Sequence, residues 1–166
     1  FDELDLNAIA DELTMACSGL DQEGMVRVTI TGGGTRIVVL RPIPDVPRPF
    51  RCVTREFVPP PWLDGSIKHI SRAYSRRAVL DAGVDEVIWI DPSGALLEGT
   101  RSNVFAAVNG TLVTPPVDGR ILAGVTRNAL IDVADDVGIP LQIAAIQPDD
   151  SIDELYVAST LKELVA

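Results

Sequence analysis

Apolar residues recur along this chain at two spacings, and the two alternate. In LDLNAIADELTMACSG, residues 4–19, Leu6, Ile9, Ala10, Leu13, Ala16 and Cys17 fall on one stripe of an amphipathic helix, and Gly19 is placed to stop it. The next segments, MVRVTIT, TRIVVLRP and FRCVTREF, are β-rich and are separated by three glycines and by the proline-dense PIPDVPRP. That pattern predicts an antiparallel meander with one longer connection. VPPPWLDG, residues 58–65, then breaks the pattern: consecutive prolines continue neither a helix nor a central strand, so the stretch predicts an interdomain linker. Beyond it the spacing predicts a helix over 71–82 stopped by Gly83, a strand at DEVIWID, a turn at PSG, and strands around LLEGT, NVFAAV and TLVT. A further helix, TRNALIDVADDVG, would place Leu130, Val133, Ala134 and Val137 on one face and end on Gly138. LQIAAI and ELYVAS add a last pair of strands, and the alternation as a whole defines an α/β protein.

Composition narrows what such a protein can do. With 166 residues, 46% of them hydrophobic, the chain can bury one core and part of a second. Runs such as VIWI and IVVL fall far short of the roughly 20 apolar residues a membrane helix needs, and no signal peptide is visible, so neither a membrane partner nor export is expected. Cys17 and Cys52 stand apart without C-x-x-C spacing and without a histidine nearby, which argues against a metal site or a disulfide and for a reducing cytoplasm. The 24 acidic residues outnumber the 14 basic ones. A surplus of that sign disfavours nucleic acid, whose phosphates need clustered cations, and leaves a small molecule as the expected partner.

Three places combine residue types that packing alone does not require. Lys68 follows the Gly65-Ser66 turn just ahead of a predicted helix; a plain alternative is a solvated lysine. Glu98 follows two leucines and precedes a small-residue turn and an apolar strand, which suits a carboxylate held close to the core or, more plainly, an exposed turn residue. In TPPVDGRILAGVTR, Gly124, Val125 and Thr126 open an amphipathic helix, whose free N–H groups and positive dipole end would face an anion, unless Thr126 merely caps its own helix. A lysine, a semi-buried glutamate and an anion-binding helix end are together what pyridoxal 5′-phosphate asks for: an amine for a Schiff base, a carboxylate for the ring nitrogen and a cup for the phosphate.

Order and spacing carry this further. The lysine of IK, LLEGTRSNVF thirty residues on, then LVTPP, ILAGVTR and DELYVAST resemble the class IV aminotransferases, the fold type IV pyridoxal-phosphate enzymes, over residues 64–166. Residues 1–57 resemble the end of that family's smaller domain more loosely, chiefly through VRVTITGGG. The resemblance implies a small α+β domain, here a remnant spanning 1–57, the linker 58–65, and a large cofactor-binding domain over 66–166 with a barrel-like mixed sheet, the cofactor lying between the domains. It also implies roles. Lys68 would be the Schiff-base lysine and the proton shuttle, Glu98 would pair with the ring nitrogen, and Leu122 would pack on the ring. The backbone around Gly124, Val125 and Thr126, with Ser159 or Thr160, would hold the phosphate. Arg72 or Tyr74 stands nearest to a further cofactor contact, although KHISRAY replaces the family's usual wording there. His69, the only histidine, has no part in the family's chemistry.

Departures from the family are as informative. Relatives carry a phosphate-binding arginine upstream of the stretch aligned with Phe1 and continue past LKELVA, so segments are expected to be missing at both ends. The arginine that clamps the substrate carboxylate in D-alanine aminotransferases is replaced by TGGG; Arg27, Arg36 and Arg101 are the candidate substitutes, with Arg101 favoured because it lies three residues after Glu98, and each could equally be a solvated cation. The implied activity is transamination between an amino acid and a 2-oxo acid, with a D-amino acid favoured over a branched-chain L-amino acid. Cleavage of 4-amino-4-deoxychorismate by a relative's lyase chemistry is the alternative, and a non-catalytic binding protein on the same scaffold a third. A homodimer is implied by resemblance alone, and no metal is called for.

Overall fold

Asp5 begins the first helix for a local reason: its carboxylate accepts hydrogen bonds from the N–H groups of Asn7 (3.1 Å) and Ala8 (3.0 Å), two donors that a helix leaves unpaired at its start. The computed structural model describes residues 4–21, 23–47, 49–60, 62–147 and 150–166. By its internal contacts the chain divides after Asp45 into two units. The first holds α1 (Leu6–Cys17) and an antiparallel pair, β1 (Gly24–Ile30) and β2 (Arg36–Pro42). No residue of this unit is buried among those described; of the stripe expected of α1, Ile9, Leu13, Ala16 and Cys17 are partly buried, while Leu6 and Ala10 are exposed.

The second unit is built on β3 (Cys52–Glu56), α2 (Ala73–Ala82), β4 (Glu86–Ile90), β5 (Leu96–Gly99), β6 (Asn103–Val108), β7 (Thr111–Thr114), α3 (Val125–Asp136), β8 (Leu141–Ile143), β9 (Ile152–Ser159) and β10 (Glu163–Val165). These eight strands form one mixed sheet in the order β10-β9-β6-β5-β4-β3, with β7 on β6 and β8 on β7. A bridge between Leu96 and Ile146, just past β8, closes β5, β6, β7 and β8 into a ring, the barrel-like element the resemblance implied. Asn109 and Gly110 turn β6 into β7 with positive φ at both residues, the geometry that matches a hairpin's twist.

The meander expected from the first three β-rich segments is corrected by the pairing. β1 and β2 are antiparallel, but β3 runs parallel to β4 in the second unit. Parallel neighbours need a crossover, and α2 supplies it, so β3-α2-β4 is a βαβ unit whose partner strand lies beyond any local turn signal. The stretch 58–65 accordingly runs inside the second unit; Pro61 lies outside the described residues.

Two apolar clusters fill the second unit. Val87, Trp89, Leu97 and Ile121 pack with Ala78 of α2 on one side of the sheet, while Ile88, Leu96, Val104, Ala106, Val113, Ile146 and Val157 pack on the other. Gly83 ends α2 in the left-handed conformation, φ 62°, as its position predicts. The face expected for α3 is only partly the buried one: Ala134 is buried, whereas Val133 and Val137 are exposed. Arg127 is buried in their place, its guanidinium donating to the Pro115 carbonyl at 2.8 Å and the Thr114 hydroxyl at 3.3 Å.

Candidate active site

The pairing of β4 with β5 aims the key carboxylate. Ile88 stands opposite Gly99 and Ile90 opposite Leu96, so Leu97 and Glu98 together face the single residue Trp89. This extra residue is a β-bulge, a device that redirects a side chain at the cost of one ladder position. It sets Glu98 beside Leu97 on the wall of a pocket, while Gly99 returns to the opposite face.

Lys68 and Glu98 line the same pocket. The pocket is lined by Lys68, His69 and Arg72 from the approach to α2, by Tyr74 of α2, by Phe57 just past β3 and Trp89 of β4, and by Glu98 and Leu122. Every lining residue belongs to the second unit. The loop that carries Lys68 is seated by Gly65, whose N–H donates to the Gly119 carbonyl at 2.9 Å; a Cβ at this position would lie 2.5 Å from the Arg120 carbonyl carbon, so only glycine permits the approach. Lys68 itself is exposed. The Tyr74 and Phe57 rings stack with centroids 5.3 Å apart, and Phe57 leans on Trp89 at 4.9 Å, giving the pocket one aromatic wall.

Glu98 is half-buried and is satisfied by one protein donor, the Leu122 N–H at 3.0 Å. Burial raises its pKa to about 7; the Leu122 hydrogen bond and the Arg72 charge oppose that rise without cancelling it. The Leu122 peptide is gripped from both ends, because the Asn103 amide donates to its carbonyl at 2.8 Å. Asn103 also fills the space where a Gly124 side chain would stand. Gly124 then serves as the N-cap of α3 without any side-chain cap, and the first helical bond runs from Asn128 to its carbonyl at 3.0 Å. The N–H groups of Val125, Thr126 and Arg127 therefore have no partner within the helix, and Thr126 is not the cap. In β9 Ala158 stands opposite Asn103, which brings Ser159, the next residue, to the same end of the sheet as the start of α3.

The structure thus gathers Lys68, Glu98 and Leu122 around one pocket. It places Gly124, Val125 and Thr126 two to four residues beyond Leu122, and Ser159 and Thr160 at the end of β9, none of these five lining the pocket. Arg101 is exposed outside the pocket, where one of its guanidinium nitrogens donates to the Asp85 carbonyl at 3.3 Å. Arg27 and Arg36 lie in the first unit, Arg27 exposed on β1 and Arg36 ion-paired with Glu12. Of the cations that do line the pocket, Arg120 is held by Asp118 and Asp91 (2.6 and 2.9 Å), while Arg72 acts on Glu98. Asn103, Phe57, Trp89 and Arg120 were not singled out from sequence; the bulge had no local signal at all.

An amine, a carboxylate poised near neutrality, an apolar side chain and an uncapped helix start fit pyridoxal phosphate in kind and in order. Comparison with known proteins agrees. The sequence model of the amino-transferase class IV family matches residues 1–166, and the chain belongs to that family, whose cofactor is pyridoxal phosphate. It is 38% identical over 92 residues to branched-chain-amino-acid transaminase 1 of Bacillus subtilis, covering 54% of this chain and 25% of that protein. It is 30% identical over 109 residues to D-alanine aminotransferase of Bacillus licheniformis, covering 63% and 38%. The chain thus spans well under half the length of these curated relatives. A hypothetical aminotransferase from Mycobacterium tuberculosis matches with a TM-score of 0.85 and 26% identity, over 99% of this chain and 68% of that one. The same protein has been solved in a PLP-bound form and in a form bound to alpha-ketoglutarate and PMP. The 4-amino-4-deoxychorismate lyase of Pseudomonas aeruginosa matches with a TM-score of 0.77 and 25% identity, over 98% and 68%.

Proposed function

We propose that the protein to which this chain belongs is a pyridoxal-phosphate-dependent transaminase that moves an amino group between an amino acid and a 2-oxo acid. The observation that carries this reading is that one pocket presents both Lys68 and Glu98, thirty residues apart in sequence, with Glu98 held by the backbone of Leu122. The cofactor, when bound, supplies an electron sink that makes a proton on the substrate Cα removable. Lys68 would be the residue that anchors it, and its ε-amine would hold and return that proton. Glu98 would pair with the ring nitrogen, Leu122 would cover the ring, and the free N–H groups at Val125 and Thr126, with Ser159 or Thr160, would hold the phosphate. Phe57, Tyr74 and Trp89 keep water from one side of the pocket.

The aromatic wall of the pocket and the branched-chain relative support an L-amino acid with an apolar side chain; the D-alanine aminotransferase supports the D-amino acid reading. Supplying D-alanine or L-leucine to the full-length protein, followed by 2-oxoglutarate, separates them: the absorbance of the bound cofactor should pass to its amino form with one amino acid and return with the oxo acid. Failure to return would favour the lyase reading, which uses the same lysine, glutamate and phosphate cup. Lys68→Ala should abolish covalent attachment of the cofactor and lower turnover by at least about 1,000-fold; covalent attachment in that variant would defeat the assignment. On the same reading the enzyme works as a homodimer in the cytoplasm, which sedimentation and fractionation test.

A further inference from the structure

The two turns to which this reading assigns the ends of the cofactor are joined by a buried ion pair. Glu86, the first residue of β4, has no solvent exposure. One of its oxygens accepts the Thr100 hydroxyl, and the other accepts the Ser102 hydroxyl at 2.9 Å and the Lys162 ammonium at 2.7 Å. Thr100 and Ser102 belong to the turn directly after Glu98. The same turn is closed by the Gly99 N–H on the Ser102 carbonyl (2.7 Å) and tied to β4 by the Thr100 N–H on the Val87 carbonyl (3.0 Å). Gly99 leaves no room for a side chain, because a Cβ there would lie 3.1 Å from the Glu86 carboxyl carbon and collide with the Ser102 hydroxyl.

Lys162 ties in the other end. Its backbone N–H donates to the Ser159 carbonyl at 3.1 Å and to the Ser159 hydroxyl at 3.3 Å, and its ammonium lies 4.7 Å from the centre of the Phe50 ring. Its side chain is 11% exposed. Burial works to raise the Glu86 pKa, but the charge and hydrogen bond of Lys162, with the two hydroxyls, hold it below its ordinary value. A buried pair of this kind is weak evidence for stability, since apolar side chains of similar shape often serve as well. What apolar packing cannot supply is a fixed direction between two turns.

We propose that Glu86 and Lys162 are positioning residues that lock the turn following Glu98 to the end of β9 carrying Ser159 and Thr160, so that the grip on the ring nitrogen and the grip on the phosphate form one unit. The proposal rests on the transaminase reading for the roles of those two turns. In the full-length apo protein, titrated with pyridoxal phosphate and separately with pyridoxal, Lys162→Met should weaken pyridoxal phosphate about tenfold or more and pyridoxal by less than about threefold, because the freed turn is the phosphate end. Glu86→Gln should weaken both ligands, since it loosens the Glu98 turn as well. Lys162→Arg, which keeps the charge, should restore affinity for pyridoxal phosphate to within about threefold of the parent. Should Lys162→Met fail to fold, Lys162→Gln makes the same comparison. Variants that melt at lower temperature but bind both ligands as the parent does would overturn the proposal, as would equal losses for both ligands in Lys162→Met. A parent protein that binds no pyridoxal phosphate would instead defeat the transaminase reading, and this inference with it.

Discussion

Glu86 and Glu98 stand on neighbouring strands, on opposite sides of the sheet, and their surroundings treat them in opposite ways. Glu86 is surrounded by Thr100, Ser102 and Lys162, and its pKa is held below the ordinary carboxylate value. Glu98 is left with one backbone donor beside an aromatic wall, and its pKa climbs to about 7. A carboxylate whose acceptor positions are filled by the protein is part of the architecture. One that is buried without enough donors is destabilised when ionised, and that deficit is what a cationic ligand can relieve. The contrast therefore separates a positioning group from a binding group without reference to any relative.

The sharpest way to break the contrast is to remove the acceptor at Glu86. Glu86→Ala leaves two hydroxyls and an ammonium facing a cavity, and unfolding in denaturant should show a loss of about 3–5 kcal/mol. Replacing both partners, Glu86→Leu with Lys162→Met, should recover most of that loss. If the single replacement costs less than about 1 kcal/mol, the surroundings of Glu86 are not the tight network described and the contrast fails.

Glu98 should show a smaller effect with the reverse dependence on pH. Its pKa is raised from an ordinary 4.5 to about 7, so the native state holds the proton more tightly than the unfolded chain. For this group stability is complete below pH 4.5 and is lost as pH rises to about 7, a fall on the order of 3 kcal/mol for the apo protein. Glu86 runs the other way: its pKa is depressed, so its contribution is present at neutral pH and lost as the medium turns acid. Subtracting the stability curve of Glu98→Gln from that of the parent isolates the Glu98 part. The difference should slope downward between pH 4.5 and 7, and it should flatten when pyridoxal phosphate is bound, because a protonated ring nitrogen keeps the carboxylate ionised. An upward slope in the apo protein would mean that Glu98 is better solvated than its pocket indicates.

The two carboxylates also differ in how far they could be read from sequence. Glu98 sits between two leucines and a small-residue turn, and Lys68 between a glycine turn and a helix, so both carry local signals. Glu86 is the second acid of DEVIWID and looks like a polar strand end. Its partner lies 76 residues away, and nothing in the spacing announces a pair formed across a sheet. The same limit explains β3, whose parallel partner β4 is reached only through α2. It also explains Asn103, whose amide reaches across to the Leu122 carbonyl. Helix ends fared better: Gly83 stops α2 by a conformation that glycine adopts freely, a property of one residue and not of its distant neighbours. Amphipathic stripes were less informative, since the valines expected to bury α3 are exposed and Arg127 is buried there instead.

Arg101 gives the smallest expected effect, and it tests whether the turn between the two carboxylates has one working side or two. Thr100 and Ser102 face Glu86, whereas Arg101, between them, is exposed and donates to the Asp85 carbonyl at 3.3 Å. Arg101→Ala should therefore change stability by less than about 0.5 kcal/mol. In the full-length enzyme it should leave KM for the 2-oxo acid within about twofold, because a contact to the substrate carboxylate would be worth far more. Arg72, which lines the pocket and acts on Glu98, should show the larger change in KM when replaced by alanine. If the order is reversed, so that Arg101→Ala raises KM strongly while the protein melts as before, Arg101 is the carboxylate clamp that the sequence suggested. The turn would then serve the substrate on its outer side while Glu86 holds its inner one.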